Sequence, residues 1–342
     1  MPHIGAASGR LRRAARGLGF TLLMALAGCP PVTDLVAGRQ AIAIRAEPVA
    51  LSAQNPDALQ LGALRYRGGL ALSADHPAFG GLSGLAIGPD GRRLSAVTDK
   101  GNWVTARLRD DAAGRLAGVD AAQLGPLGEP RTGPIGDARG RDAEALALHS
   151  DGRTLVAFEG EHRILTYPAA HKPSLAGPAT RLPTPDLLAR APANGGPEAL
   201  AALADGRLVM LVERLKTQNA RVGFLRNRAG WHRVRYPLDP DYAPTDAAQL
   251  PGGDLLVLAR RFDPIGGFQA RLRRIPAARL APGAMLDGPV IAHFRKPFLV
   301  DNFEGLAVRA GPDGTPLVYI ISDDNFRALQ RTLLLVFALE PA

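Results

Sequence analysis

Three observations mark this chain as an all-β propeller of five or six blades. The first is a recurring phrase: Leu82-Ser-Gly-Leu-Ala-Ile, Asp142-Ala-Glu-Ala-Leu-Ala, Pro197-Glu-Ala-Leu-Ala-Ala and Phe303-Glu-Gly-Leu-Ala-Val. Each copy is followed by a turn and a second apolar run that ends on a carboxylate: Asp99, Glu159, Glu213 and Asp323. A weaker fifth copy, Thr245-Asp-Ala-Ala-Gln-Leu, ends its second run on Arg260. The second observation is the period. Anchors at Ser83, Glu144, Glu198, Thr245 and Glu304 are 61, 54, 47 and 59 residues apart, and strand-like units repeating at about 40 to 60 residues are the signature of propeller blades. The third is punctuation. The 39 Gly and 29 Pro separate short apolar runs, as many strands and tight turns require and as disorder does not.

Taken in order, the N-terminus stands apart from the repeat. Arg10, Arg12, Arg13 and Arg16 precede a short apolar run at residues 18–27, too short for a stable bilayer span. The run closes on Leu26-Ala27-Gly28-Cys29, which resembles the lipobox of bacterial lipoproteins, where the Cys becomes the lipidated first residue. Cys29 is the only cysteine, so no intrachain disulfide is available. Residues 1–28 are therefore expected to be a lipoprotein signal peptide and residues 29–59 a lipidated tether. That places the protein, exported, on a bacterial membrane facing the periplasm. Removing residues 1–28 takes away four arginines and lowers the net charge from +9 to +5. This mild excess suits an anionic small molecule or a membrane surface. With aromatics at 5% there is no stacking platform for nucleic acid. The protein is expected to act as a monomer.

The propeller domain is expected to occupy residues 60–342. The unit after Glu198 illustrates a blade: residues 199–203, a turn at Asp205-Gly206, then runs at 207–213, 221–227 and 231–237. Asp-Gly and Gly-Gly also mark turns at Asp90-Gly91, Asp151-Gly152, Gly252-Gly253 and Asp313-Gly314, where tight hairpins need positive φ. The unit after Glu304 has only three runs, and residues 63–73 supply the strand it lacks. Such pairing of first and last strands closes the ring and removes exposed edges. Five blades result, or six if residues 41–73 build more.

The first strand of each blade lines the channel, so the anchors converge at one mouth. Glu144, Glu198 and Glu304 share one position, and Asp99, Glu159, Glu213 and Asp323 another. Crowded carboxylates raise one another's pKa unless a cation separates them. Hard oxygen donors suit Ca²⁺ ahead of Mg²⁺, and the seven dispersed His residues offer no transition-metal site. The competing structural role is acid–base latching by Lys100, Arg214, Arg260 and Arg261. Ser83 lies outside a Gly-x-Ser-x-Gly elbow and has no evident His partner in His76 or His149. Trp103, Trp231, Phe262, Phe268, Phe298 and Phe303 read as packing residues.

Phe79-Gly-Gly-Leu-Ser-Gly-Leu, Asp142-Ala-Glu-Ala-Leu, Asn194-Gly-Gly-Pro-Glu-Ala-Leu, Asp301-Asn-Phe-Glu-Gly-Leu and Ser322-Asp-Asp-Asn-Phe, with Gln330-Arg-Thr, resemble the phytase-like esterase family of bacterial proteins. The likeness runs from Leu61 to Leu339 and implies an esterase or phosphodiesterase activity. On these residues, Glu144, Glu198 and Glu304 are candidate ligands of a divalent cation. Asp99, Asp323, Glu159 and Glu213 are candidate catalytic carboxylates. Lys100, Arg214, Arg260, Asn194 and Asn325 are candidate substrate contacts, and Asn302 a further polar group at the mouth. The expected function is metal-dependent hydrolysis of a phosphoric ester or diester. The alternatives are a non-catalytic propeller that binds a ligand or partner around a structural ion, and a lactonase-like hydrolase.

Overall fold

The computed structural model describes residues 38–129, 140–169, 175–239 and 241–340. The signal peptide and Cys29 expectations lie outside these residues. The strands are β1 (Gln40–Ala41), β2 (Arg45–Pro48), β3 (Gln60–Leu61), β4 (Leu64–Ser73), β5 (Leu82–Ile87), β6 (Arg93–Thr98), β7 (Asn102–Asp110), β8 (Leu116–Pro126), β9 (Ala143–Leu148), β10 (Thr154–Phe158), β11 (Arg163–Tyr167), β12 (Thr180–Leu182), β13 (Pro197–Ala202), β14 (Leu208–Lys216), β15 (Ala220–Asn227), β16 (Gly230–Pro237), β17 (Ala243–Gln249), β18 (Leu255–Asp263), β19 (Gly267–Ile275), β20 (Val290–Phe294), β21 (Phe303–Ala310), β22 (Pro316–Ser322) and β23 (Thr332–Leu339). Among the described residues they form five antiparallel sheets. The molecule is a five-bladed propeller.

The innermost strands β5, β9, β13, β17 and β21 each neighbour the next, and β21 returns to β5. Their approach around the axis needs small residues. A Cβ on Gly84 would sit 2.5 Å from the Leu146 amide nitrogen, and one on Gly305 equally close to the Ser83 carbonyl. In the fifth blade, N-terminal β4 pairs with C-terminal β23 from Thr332↔Leu72 to Leu339↔Leu64.

Within the expected tether of residues 29–59, β1 and β2 are strands of the fold, and residues 41–73 build no sixth blade. β1 extends the first blade by pairing with β8, while β2 and β3 both pair with β4 in the fifth. The fold thus starts about twenty residues earlier than the repeat indicates, because these strands are too short to show a period.

Five apolar cores fill the gaps between neighbouring blades, and strand alternation feeds them. Leu208, Met210 and Val212 of β14 face the second blade's core, while Val209 and Leu211 between them face the fourth blade. Side chains of a strand point alternately to its two faces. A strand covered on both sides therefore reads as a continuous apolar run. Phe303 is fully buried, as expected. Phe262 is not: it is 61% exposed and packs on Phe268 at 4.9 Å, because both stand at the projecting tip of the β18–β19 hairpin. Among the described residues no helix is long and apolar enough to cross a membrane.

Candidate active site at the propeller mouth

Each of the five anchors sits at a β-bulge of its inner strand. The pairings Ala143↔Phe158 and Ala145↔Ala157 leave Glu144 unpaired, and Glu198, Thr245 and Glu304 are skipped in the same way. In the first blade the shift lies between Leu82 and Leu85 and covers Ser83. A bulge bends the strand and re-aims one side chain out of the alternation. Here it turns the anchor toward the channel mouth.

The second-strand carboxylates are placed by an equally regular bond. The N–H groups of Asp99, Glu159, Glu213 and Asp323 donate to the carbonyls of Gly81, Asp142, Gly196 and Asn302 at 2.7–3.0 Å. Four blades thus present a carboxylate from the same backbone position. The inner strands also line a cavity of about 120 Å³ between residues such as Ile87, Leu148, Ala202 and Val308.

Around the second and third blades the acids lie together in two groups. Asp142, Glu144 and Glu159 bring one oxygen each within 4.8 Å of one another, and so do Glu159, Glu198 and Glu213. Glu159 belongs to both groups. It is 3% exposed, and its Oε1 accepts the N–H groups of Gly195 and Gly196, the latter at 2.6 Å. Two amide donors hold this carboxylate in place. Gly195 has φ +141°, and a Cβ there would meet Arg214 at 2.5 Å, so the loop can pass Glu159 only with glycine. Burial first, then Glu144, pushes the Glu198 carboxyl well up. Burial and then Asp142 do the same to Glu144. Arg214 Nε reaches Glu213 at 3.1 Å from a largely exposed position.

Around the fourth, fifth and first blades the arrangement differs. Glu304, grouped by sequence with Glu144 and Glu198, is instead bound by Arg260 at 2.5 Å. The fifth copy's departure from the acidic pattern explains this. Arg260 stands where the other blades carry an acid, and it neutralises the anchor of the blade beside it. Burial opposes the Arg260 charge, but Glu304 and then Glu198 more than restore it. Asp323 Oδ2 accepts from Asn302 Nδ2 at 3.3 Å, and its Oδ1 accepts the Asn325 N–H at 2.6 Å. Burial and Asp99 push the Asp323 carboxyl up to about 8. Burial and Asp142 push Asp99 up to about 7, against the pull of Lys100. Asp99 Oδ1 and Asn302 Oδ1 are buried without a hydrogen-bond partner. Lys100 Nζ stands 3.1 Å from the centre of the Phe326 ring.

Two candidate contacts take other roles. Asn325 has φ +47° and is a turn residue whose N–H fixes Asp323, and Asn194 is exposed in the loop before Gly195. Neither His76 nor His149 pairs with Ser83: His76 faces Gln40, and His149 faces Asp151 and Gly206. The sequence reading passed over three acids. Asp142 stands two residues before its anchor, a position the other copies fill with Gly, Ala or Asn. Asp324 ties the fifth blade to the first: its Oδ1 accepts the Gly81 and Phe326 N–H groups, and its Oδ2 the Thr332 hydroxyl. Asp246, fully buried, accepts the Leu306 N–H at 2.7 Å and links β17 to β21. Only Asp142 had a signal in the sequence, since it opens a repeat copy.

A five-bladed propeller with buried carboxylates gathered at one mouth is the class these features define. The chain belongs to the phytase-like family described as "Esterase-like activity of phytase", whose model matches residues 77–326. No curated protein matches it. Solved structures similar to it include a gluconolactonase from Xanthomonas campestris, at 14% identity over 86% of this chain and 97% of that one, with a TM-score of 0.39. Another is the PQQ-bound aldose sugar dehydrogenase from Streptomyces coelicolor, at 15% identity over 89% and 99%, with a TM-score of 0.39. A streptogramin B lyase matches at 10% identity over 87% and 98%, with a TM-score of 0.38.

Proposed function

We propose that this protein is a divalent-cation-dependent hydrolase of phosphoric esters or diesters. The observation that carries the reading is Glu159, a buried carboxylate held by two amide N–H groups and shared by two acid triads. The donor set fits a hard cation: Glu144, Glu159 and Glu198, flanked by Asp142 and Glu213, would hold Ca²⁺ or Mg²⁺. Bound there, the ion would supply Lewis-acid polarisation of a phosphoryl oxygen. Glu304 leaves the candidate ligand set because Arg260 occupies it.

The remaining groups divide the acid–base work. Asp99, pushed up to about 7, is ionised in part at neutral pH and takes the proton of the attacking water. Asp323, pushed up to about 8, holds its proton there and delivers it to the departing alkoxide. Water adds to phosphorus, the ester P–O bond breaks, and the proton gained by Asp99 returns to Asp323 by exchange. Lys100 and Arg260 face the charge that develops on the phosphoryl group.

The test uses the full chain and bis-p-nitrophenyl phosphate with Ca²⁺ or with chelator. Turnover that chelator removes, and that falls at least roughly a hundredfold in Asp99→Asn, supports the reading. Hydrolysis of a lactone with no action on the phosphodiester would replace it with a lactonase. Stabilisation by Ca²⁺ without any turnover would make the protein a binding module. The proposal includes export and anchoring through Cys29, checked by palmitate labelling that Cys29→Ser abolishes.

A further inference from the structure

A second charged site lies on the first blade, away from the mouth. A cavity of about 370 Å³ is lined by four arginines, Arg39, Arg92, Arg93 and Arg107, and by a single carboxylate, Asp90. Arg93 opens β6, and Asp99 follows the end of that strand. At about 3.3 Å per residue the Arg93 backbone lies roughly 20 Å along the blade from that of Asp99.

The backbone places these charges against each other. Arg93 and Arg107 are direct cross-strand partners in the β6–β7 ladder. Like charges directly opposite in an antiparallel pair destabilise it. Asp120, opposite Arg107 on the other side, cannot balance the row. It is already shared by Arg107 at 2.7 Å and Arg109 at 3.3 Å. Among the described residues Arg39, Arg92 and Arg93 form no ion pair. Asp90 is spent on the turn, its Oδ1 accepting the Arg92 N–H at 3.0 Å.

Two further features of the cavity wall point to a ligand. Ala121 lines it at φ +49°, a left-handed conformation that a residue with a Cβ adopts at a cost. It lies in the β7–β8 bulge, where the register shifts between Thr105 and Arg107. Bulges and strained residues gather where side chains are being aimed. Trp103 supplies an apolar wall, with its Nε1 committed to the Pro126 carbonyl at 2.9 Å.

We propose that this cavity binds a multiply charged, phosphate-bearing anion, gripped by the guanidinium groups of Arg39, Arg92, Arg93 and Arg107. Guanidinium forks match phosphate oxygens in pairs, and one anion between Arg93 and Arg107 turns their repulsion into two attractions. The site is independent of hydrolysis at the mouth.

The chain has two tryptophans, so Trp231→Phe leaves Trp103 as the reporter. The full-length W231F protein is titrated at low salt with tripolyphosphate, and separately with vesicles of phosphatidylcholine and phosphatidylglycerol. The expected result is a saturable change in Trp103 emission that weakens with added salt. Affinity should fall at least roughly tenfold when Arg92→Ala and Arg93→Ala are added, and should persist in Asp99→Asn. A response to tripolyphosphate assigns the anion to a soluble phosphate, and a response to the vesicles alone assigns it to a lipid headgroup. No response to either probe, or equal binding by the R92A/R93A protein, overturns the proposal.

Discussion

Asp99 and Asp323 are the groups on which pH acts most directly. Both carboxyls are raised from 3.8, to about 7 and about 8, with burial as the first cause. Because the folded protein holds these protons more tightly than the unfolded chain, their contribution to stability is complete below about pH 4. It is lost as pH rises through 7 to 8. The chelated protein is therefore expected to show a falling thermal midpoint between about pH 5 and 8. Asp99→Asn flattens that slope; an unchanged slope would remove Asp99 from the account. The same ionisation predicts that kcat/KM rises with pH along a limb that Asp99→Asn removes, as a pH–rate profile would show. Glu159 makes a different demand. Gly196→Ala would drive a Cβ into His162 and the Glu159 side chain. The variant is expected to lose roughly 1–3 kcal/mol of stability, read by chemical denaturation.

The five inner-strand bulges do at the mouth what a catalytic loop does elsewhere. They set anchor side chains on rigid strands, where little conformational freedom remains to be lost. Across two blades the Arg260–Glu304 pair is the bond most sensitive to substitution. Glu304 is buried, and removing its partner leaves a charge with no counterion. Arg260→Gln is expected to cost about 3 kcal/mol. Adding Glu304→Gln should recover part of that loss, since a neutral pair avoids the stranded charge. Additive losses in a double-mutant cycle would show that the two side chains do not act as a pair. Asp246 makes a second link between the same two blades, from β17 to β21, and its carboxyl is pushed well up by burial.

A propeller spreads its stability over the interfaces between blades, and here the acidic mouth works against it. The acidic anchors of three blades and the carboxylates of four second strands face one axis, so their repulsion opposes closure. Ca²⁺ is expected to raise the thermal midpoint of the chelated protein, through a stability gain of about 2.7 kcal/mol at a hundred times its Kd. Replacing Glu159 with Gln should abolish the gain. A Ca²⁺ effect that survives Glu159→Gln would place the ion elsewhere. The β4–β23 pairing makes both ends of the fold part of one blade, so loss of residues 332–339 should prevent folding rather than trim it, as circular dichroism would show.

Much of this architecture was legible in the order of residues. A repeated phrase with strand-length units announces blades, because each must bury alternating faces against its neighbours, and the anchors and strand-end carboxylates align in the structure as they align in the repeat. Those signals are local. What tertiary structure alone decided is which charges meet. Glu304 reads like Glu144 and Glu198, yet Arg260 from the adjacent blade claims it, while Asp142 joins the cluster from outside the aligned positions. The short strands β1 to β3 carry too few residues for a period, and only their pairing shows that they belong to the fold. Electrostatic partnership depends on distance in space, where blades far apart in the chain lie side by side, and no spacing along the chain encodes it.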